Sequence, residues 1–241
     1  MRVGVVGAAG RMGSEVCRAV DADPGTELVA RIDLGDPLTG LVEAGAEVVV
    51  DFTVVTAARS TLAFLADNAV HAVVGTTGFT DDDLAELAGA FTRSNCLIAP
   101  NVAVGAVLMM RFAELAAPYF ETAEVIELHH DAKVDAPSGT ALMTLRRMAE
   151  ASSDWSADPT RSEVVAGARG GRGPGDIPVH SVRLRGLVAH QEVLLGTQGQ
   201  VLSIRHDSID RTSVMPGVLL AVKRVAELRG LTVGLDDVLG I

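Results

Sequence analysis

The sequence predicts an α/β protein, with a doubly wound parallel sheet followed by a second, α+β domain whose sheet is mostly antiparallel. Three observations carry that expectation. From Arg2 to Ala99, short β-branched apolar runs alternate with helical patterns, and successive βα units of this length imply parallel strands joined by right-handed crossovers. The first run leads straight into Gly7-Ala-Ala-Gly10-Arg-Met-Gly13, a glycine loop between a strand and a helix. Beyond Ala123 the chain changes to strand-like runs separated by short turns, with one helical stretch among them, the pattern of a small antiparallel sheet.

Taken in order, Arg2 to Val6 reads as a strand, and Val16, Ala19 and Val20 mark the apolar face of the helix that follows the glycines. The three glycines are spaced by three rather than in the common GxGxxG pattern. The physical need is the same: a tight turn, backbone close to a pyrophosphate, and a close fit of helix to strand in a Rossmann-type dinucleotide site. Gly7, Ala8, Ala9, Gly10, Arg11 and Met12 are therefore candidate cofactor-binding residues. The next strand, Glu27 to Ile32, ends at Asp33, about twenty residues beyond the last glycine, where a carboxylate hydrogen-bonds the adenosine ribose. An Asp there disfavours a 2′-phosphate, while Arg11 at the helix start would partly neutralise one. NADH is expected to be preferred or equal, with NADPH usable.

Alternation continues with a strand over Ala46 to Phe52, a helix over Ala57 to Asn68 and a strand over His71 to Val74 ending in Gly75-Thr-Thr-Gly78. An amphipathic helix over Asp81 to Phe91 has an acidic first turn, and the strand Cys96 to Ala99 ends in Pro100-Asn-Val-Ala103. Ligands of such sheets gather at the C-terminal strand ends, which assigns Gly75, Thr76, Thr77, Ala99, Pro100, Asn101 and Val102 to the ribose and nicotinamide end of the cofactor. His71, at a strand entrance, reads as structural.

Gly105 to Pro118 is a helix, and Ala123 to Leu128 begins the second sheet. Ala141 to Ala151 is helical. Residues 152–176, rich in Ser, Gly, Arg, Asp and Pro, read as a mobile loop in which Arg169 and Arg172 are solvated. Ile177 to Leu184, Leu187 to Leu195 and Val201 to His206 read as an antiparallel meander, with His180, His190 and His206 structural. About four strands covered by one helix leave apolar area to be closed by symmetric association. Val214 to Leu228 is a last helix, and Leu231 to Val233 an apolar run that packs back on the first domain. Chain crossings near residues 103 and 213 suit a hinge.

Composition bounds the function. With 241 residues, 48% of them hydrophobic, the chain can bury two modest cores, and no apolar run reaches membrane-spanning length. A net charge of −11 disfavours nucleic acid and acidic membranes as partners, yet leaves room for a basic pocket that takes a small dianion. The N-terminus has no charged head, apolar block and cleavage site of a signal peptide, so a cytoplasmic location is expected. Cys17 and Cys96 are the only cysteines, each in an apolar segment, and provide neither a disulfide framework nor a CxxC site.

The chemistry concentrates in Glu127-Leu-His-His-Asp-Ala-Lys133-Val-Asp-Ala-Pro-Ser-Gly-Thr-Ala141, which crosses from a strand end to a helix start. On an extended backbone His129 and His130 point to opposite sides, which argues against both ligating one metal and gives them different tasks. Lysine occurs only at Lys133 and Lys223, against eighteen arginines, so a lysine kept here suggests a need for an amine that can release a proton. Pro137-Ser138-Gly139-Thr140 leaves backbone N–H groups at a helix start, aimed at an anion such as a carboxylate.

This stretch resembles the signature of the bacterial dihydrodipicolinate reductase family. The likeness runs nearly end to end, taking in the N-terminal glycine loop, Gly75-Thr-Thr-Gly78, Ala99-Pro-Asn101 and Arg205-His-Asp-Ser208. The resemblance implies a reductase of lysine and diaminopimelate biosynthesis. Such an enzyme takes hydride from NADH or NADPH, and converts 4-hydroxy-tetrahydrodipicolinate to tetrahydrodipicolinate with loss of water. It implies Lys133 as proton donor and His129 as proton donor or acceptor, with no choice between them for the decisive proton. His130, Gly139 and Thr140 would hold a substrate carboxylate. It also implies a homotetramer assembled through the second sheet. The domains are then 1–103 with 214–241 for the dinucleotide, and 104–213 for substrate binding and oligomerisation. Val55, Val102 and Val214 depart from the family pattern, where Pro, Phe or Met, and Phe respectively are usual, and Val102 bears on packing beside the nicotinamide. Two other readings stay open: a module that senses NAD(H) without turnover, against which the titratable signature counts, and a related reductase of another imine or keto acid.

Overall fold

The computed structural model describes all residues, Met1–Ile241. The first half is built from β-branched strands and the helices between them: β1 (Arg2–Val6), α1 (Arg11–Ala22), β2 (Glu27–Ile32), α2 (Thr39–Glu43), β3 (Val48–Asp51), α3 (Val55–Asp67), β4 (His71–Val74), α4 (Asp81–Ala90) and β5 (Cys96–Ile98). Then follow α5 (Val104–Ala116), β6 (Thr122–His129), α6 (Gly139–Ala151), β7 (Gly171–Arg172), β8 (Pro178–Arg183), β9 (Ala189–Thr197) and β10 (Gln200–Ser208). The chain closes with α7 (Met215–Arg224), β11 (Leu231–Val233) and α8 (Asp236–Leu239). The short helices α2 and α8 carry too little periodicity to stand out in the sequence. The final helical run is a shorter helix than the apolar pattern predicts, since Val225–Glu227 tightens to a 3-10 turn.

Two units divide the chain: Met1–Val104 with Arg211–Ile241, and Gly105–Asp210. In the first, six strands lie in the order β11-β5-β4-β3-β1-β2, and every pairing is parallel. The order reverses between β1 and β3, the doubly wound arrangement that opens a crevice at the C-terminal strand ends. The apolar run at 231–233 joins as the edge strand beside β5. Strands buried on both faces explain the runs of valine, since Val48, Val49 and Val50 are all fully buried. At the opposite end of β4 the His71 ring is structural: its Nδ1 accepts the Asn95 backbone N–H at 3.0 Å, and burial lowers its pKa.

In the second unit five strands run β10-β9-β6-β8-β7. The expected meander over residues 177–206 is corrected here. β9 and β10 do form a hairpin, but β8 does not pair with β9. Instead β6 lies between them, antiparallel to β9 and parallel to β8. Turn residues at 184–188 signal a break in the chain, but they do not say which strand the chain rejoins. The sheet remains mostly antiparallel. Ala123 and Val125 of β6 and Val193 and Leu195 of β9 pack against Leu145 and Met148 of α6 to form the core.

Residues 152–176 are also corrected. Their arginines are not merely solvated. Arg169 reaches Glu124 at 2.5 Å and Asp158 at 3.1 Å, Arg172 also pairs with Asp158, and Glu163 accepts the N–H groups of Gly167 and Arg169. Spacing in a glycine-rich stretch does not reveal such long-range partners. No helix is long and apolar enough to cross a membrane.

Candidate active site

In the first unit the glycine loop shows why three glycines are needed. Gly7 has φ +78, a left-handed conformation that glycine adopts without strain. A Cβ on Gly13 would lie 2.0 Å from the Gly7 carbonyl oxygen, so α1 reaches this close to the loop only with glycine there. Gly10 precedes α1 with no side-chain cap. The N–H groups of Arg11 and Met12, at the first helical positions, therefore point out of the helix end, where an anion is favoured. The Arg11 side chain is exposed and adds positive charge.

Asp33 follows β2 and is half-buried. Its Oδ2 accepts the Ala9 N–H at 2.6 Å and its Oδ1 the Leu34 N–H at 2.8 Å. These backbone donors, Leu34 first and then Ala9, hold the carboxyl below its ordinary pKa. The sequence suggests only a ribose contact, but Asp33 also ties the glycine loop to the end of β2. The N–H of Ala9 is spent on Asp33, whereas those of Gly7 and Ala8 go to the Ile32 carbonyl.

Along the same strand ends, Gly75 sits where a Cβ would come 2.1 Å from the Phe52 ring. Thr76 is buried and donates to the Thr53 carbonyl at 2.9 Å, while Thr77 and Pro100 are exposed. Ala99 and Val102 lie in the core, and the Asn101 side chain accepts the Ala103 N–H at 2.9 Å. Val102, smaller than the usual residue there, is 5% exposed, so it packs inward. Asp51, not expected to matter, is fully buried at the end of β3. Its Oδ1 accepts from the Thr53 N–H and hydroxyl at 2.8 and 2.6 Å, and burial pushes its carboxyl up. A close glycine cradle, an uncapped helix start and an ionised carboxylate at the end of β2 together fit a dinucleotide.

In the second unit, β6 ends at His129, and alternation puts Glu127 and His129 on the face covered by α6, following Ala123 and Val125. His129 Nδ1 lies 2.5 Å from Glu127 Oε2. Burial lowers the His129 pKa; Glu127 opposes that shift, and Lys133 and Arg183 reinforce it. His130 is exposed and leaves the strand on the other side. Lys133 Nζ donates to both oxygens of Asp135 at 2.8 Å, and this pairing holds Asp135 below its ordinary pKa. The turn is closed by the Lys133 N–H on the His130 carbonyl at 3.2 Å.

Ser138 caps α6 by accepting the Ala141 N–H at 3.2 Å. Gly139 and Thr140 stand at the first two helical positions, and a Cβ on Gly139 would meet nothing within 4 Å, so the helix start is open to a ligand. Behind it, Thr144 donates to the Thr140 carbonyl at 2.8 Å and accepts from Gln191 at 2.7 Å. No group of three or more His, Cys, Asp and Glu side chains is arranged to hold a metal.

Sequence reasoning missed Arg183 and gave Glu127 no task. Glu127 is fully buried, and Arg183 donates to its two oxygens at 2.8 and 2.9 Å. Burial alone would raise the Glu127 pKa, but hydrogen bonds from Arg183, Ser181 and His129 outweigh it and keep the carboxyl ionised. One signal was available: Glu127 shares the buried parity of Ala123 and Val125, and a buried carboxylate requires a partner. Of the remaining histidines, His180 pairs with Glu124 at 2.5 Å and His190 with Asp207 at 2.6 Å. The His206 ring packs against Gly105, where a Cβ would come within 2.5 Å.

Residues 1–102 match the family model described as dihydrodipicolinate reductase, N-terminus, and residues 105–239 match that described as dihydrodipicolinate reductase, C-terminus. The chain is 52% identical to a 4-hydroxy-tetrahydrodipicolinate reductase of Mycobacterium sp. (strain KMS), and 53% identical to one of Mycolicibacterium vanbaalenii. Each alignment covers 100% of both chains. A solved structure, dipicolinate-bound dihydrodipicolinate reductase from Paenisporosarcina sp. TG-14, aligns with a TM-score of 0.89 and 40% identity over 98% of both chains.

Proposed function

The chain belongs to the dihydrodipicolinate reductase family, and from that membership we infer that it reduces 4-hydroxy-tetrahydrodipicolinate to tetrahydrodipicolinate in lysine and diaminopimelate biosynthesis. It is an oxidoreductase with a Rossmann-type nucleotide-binding domain and a pyridine nucleotide cofactor. The observation that carries the reading is the signature Glu127 to Ala141. It brings an imidazole, an amine and an open helix start onto fifteen residues of one unit.

Roles follow from the chemistry of each group. Gly7, Ala8, Ala9 and Gly10 shape the loop on which the cofactor pyrophosphate lies, their N–H groups being taken by Ile32, Asp33 and Gly7. Arg11 and Met12 hold it at the uncapped helix start, and Asp33 takes the adenosine ribose. Gly75, Thr76, Thr77, Ala99, Pro100, Asn101 and Val102 line the nicotinamide end. NADH is preferred or equal, since a 2′-phosphate would face the Asp33 carboxylate, and Arg11 keeps NADPH usable. When bound, the reduced nicotinamide supplies hydride for ring carbon four of the substrate.

The protein's own task is to hold two carboxylates and supply the proton with which the hydroxyl departs as water. His130 and the N–H groups of Gly139 and Thr140 hold a carboxylate at the start of α6. Lys133 is the proton donor, released from Asp135 when substrate arrives, and His129 exchanges a proton beside the ring. The dipicolinate carried by the Paenisporosarcina relative is a dicarboxylate, the class of ligand that an open helix start beside a lysine favours.

The sheet face opposite α6 supports assembly as a homotetramer. Leu128 and Leu194 are half-buried there, and Val182 and Val201 are exposed at 37% and 71%, apolar side chains set among the Glu124–His180 and Arg205–Glu192 pairs that symmetric association would cover.

Mixing purified protein, NADH and freshly prepared substrate, and following the absorbance of the reduced nicotinamide, tests the activity. Oxidation that depends on this substrate is expected. Binding of NADH without oxidation would favour the sensing module, and oxidation with other imines or keto acids alone would favour a related reductase.

A further inference from the structure

A histidine that moves a proton works only if its reacting nitrogen is defined, because a neutral imidazole carries its proton on either nitrogen. Three contacts define it here. Glu127 Oε2 lies 2.5 Å from His129 Nδ1, and an ionised carboxylate can only accept, so Nδ1 carries the proton and Nε2 is left without one in the neutral ring. Arg183 grips the same carboxylate with both terminal nitrogens, at 2.9 and 2.8 Å. Its second nitrogen also donates to the Asp135 carbonyl at 2.7 Å, so one guanidinium ties the Glu127–His129 couple to the turn that carries Lys133.

Charge explains why both members are needed. A lone buried carboxylate beside the ring would draw His129 toward imidazolium. Paired with Arg183, it presents almost no net charge while keeping its hydrogen bond to Nδ1. The charged groups facing His129 are Glu127, Arg183 and Lys133, and Asp135 lies against Lys133. Their sum, with burial, keeps the ring neutral near pH 7. Glu127 therefore supplies direction and Arg183 removes the electrostatic side effect, a division like that of the orienting carboxylate in hydrolytic triads.

We propose that Glu127 and Arg183 are positioning residues: the carboxylate holds His129 with its proton on Nδ1, leaving Nε2 to exchange with substrate, and the guanidinium fixes and neutralises that carboxylate. This rests on the reading of His129 as the acid or base of the reaction. Ring-nitrogen NMR of the 15N-histidine-labelled full-length protein, with His129 assigned by loss of its signals in His129→Asn, gives the tautomer directly. An Nδ1-protonated ring is expected, and a ring protonated on Nε2 overturns the proposal without any further variant. In steady-state kinetics, Glu127→Gln and Arg183→Met should each lower kcat about tenfold or more, with KM changed far less. The pKa that His129 contributes to the kcat/KM profile should fall in Glu127→Gln and rise in Arg183→Met. Shifts of the same sign, or none, in variants that melt cooperatively overturn it. Unchanged turnover in His129→Asn would instead remove His129 from the reaction while leaving the tautomer result standing, which separates the two failures.

Discussion

Lys133 and Asp33 show at single positions how much a role depends on what else a side chain touches. Lys133 gives two hydrogen bonds to Asp135, so as proton donor it must exchange one partner for the substrate. Lys133→Ala should lower kcat by about two orders of magnitude or more, the usual share of a positioned acid, while NADH titration by fluorescence shows unchanged affinity. Full turnover would remove Lys133 from the mechanism. Asp33 braces Ala9 and Leu34 with its two oxygens, besides the ribose contact proposed for it. Asp33→Ala should therefore weaken both cofactors through the loosened loop, and NADH more than NADPH, by about tenfold or more for a lost charge-assisted bond. Equal losses in the two Kd values would leave Asp33 a purely structural brace.

Helix starts carry the proposed binding surfaces at the scale of the element. α1 has no side-chain cap, whereas Ser138 caps α6 while Gly139 beside it stays open. The difference suits the proposed ligands: a pyrophosphate uses the whole helix end, and a single carboxylate needs only its first N–H groups. Ser138→Ala should cost about 1 kcal/mol of stability, read as a lower chemical-denaturation midpoint, and should raise KM for the dicarboxylate more than it lowers kcat. β6 shows how one strand serves packing and chemistry in turn. Its helix-facing side runs Ala123, Val125, Glu127, His129, apolar where it supports α6 and polar where the strand emerges. That gradation was legible as alternation. The Arg183 partner was not, because it comes from β8 and depends on a parallel pairing that no local pattern specifies.

For the whole molecule, an acidic chain with a net charge of −11 leaves the proposed anion sites to two helix starts and to Arg11, His130 and Lys133. Many other arginines are committed to carboxylates, as Arg169, Arg172, Arg183 and Arg205 are. The assembly belongs to this scale as well. With the proposed tetramer closed through the sheet face opposite α6, Val201→Asp on that face should shift the sedimentation coefficient toward smaller species and lower the melting temperature. An unchanged sedimentation profile would mean that this face carries no assembly.

By itself, the sequence determined the succession of strands and helices, the parallel first sheet, the glycine turn, the helix start at Gly139 and the family, because periodicity, backbone freedom and capping are local properties carried by neighbouring residues. Only the tertiary structure decided that β6 lies between β8 and β9, that residues 152–176 are held by ion pairs, that Asp33 braces the glycine loop, and that Arg183 locks Glu127 against His129. Each of those is a choice of partner between groups far apart in the chain. Such choices are made by the packing and electrostatics of the assembled fold, to which spacing along the chain gives no access.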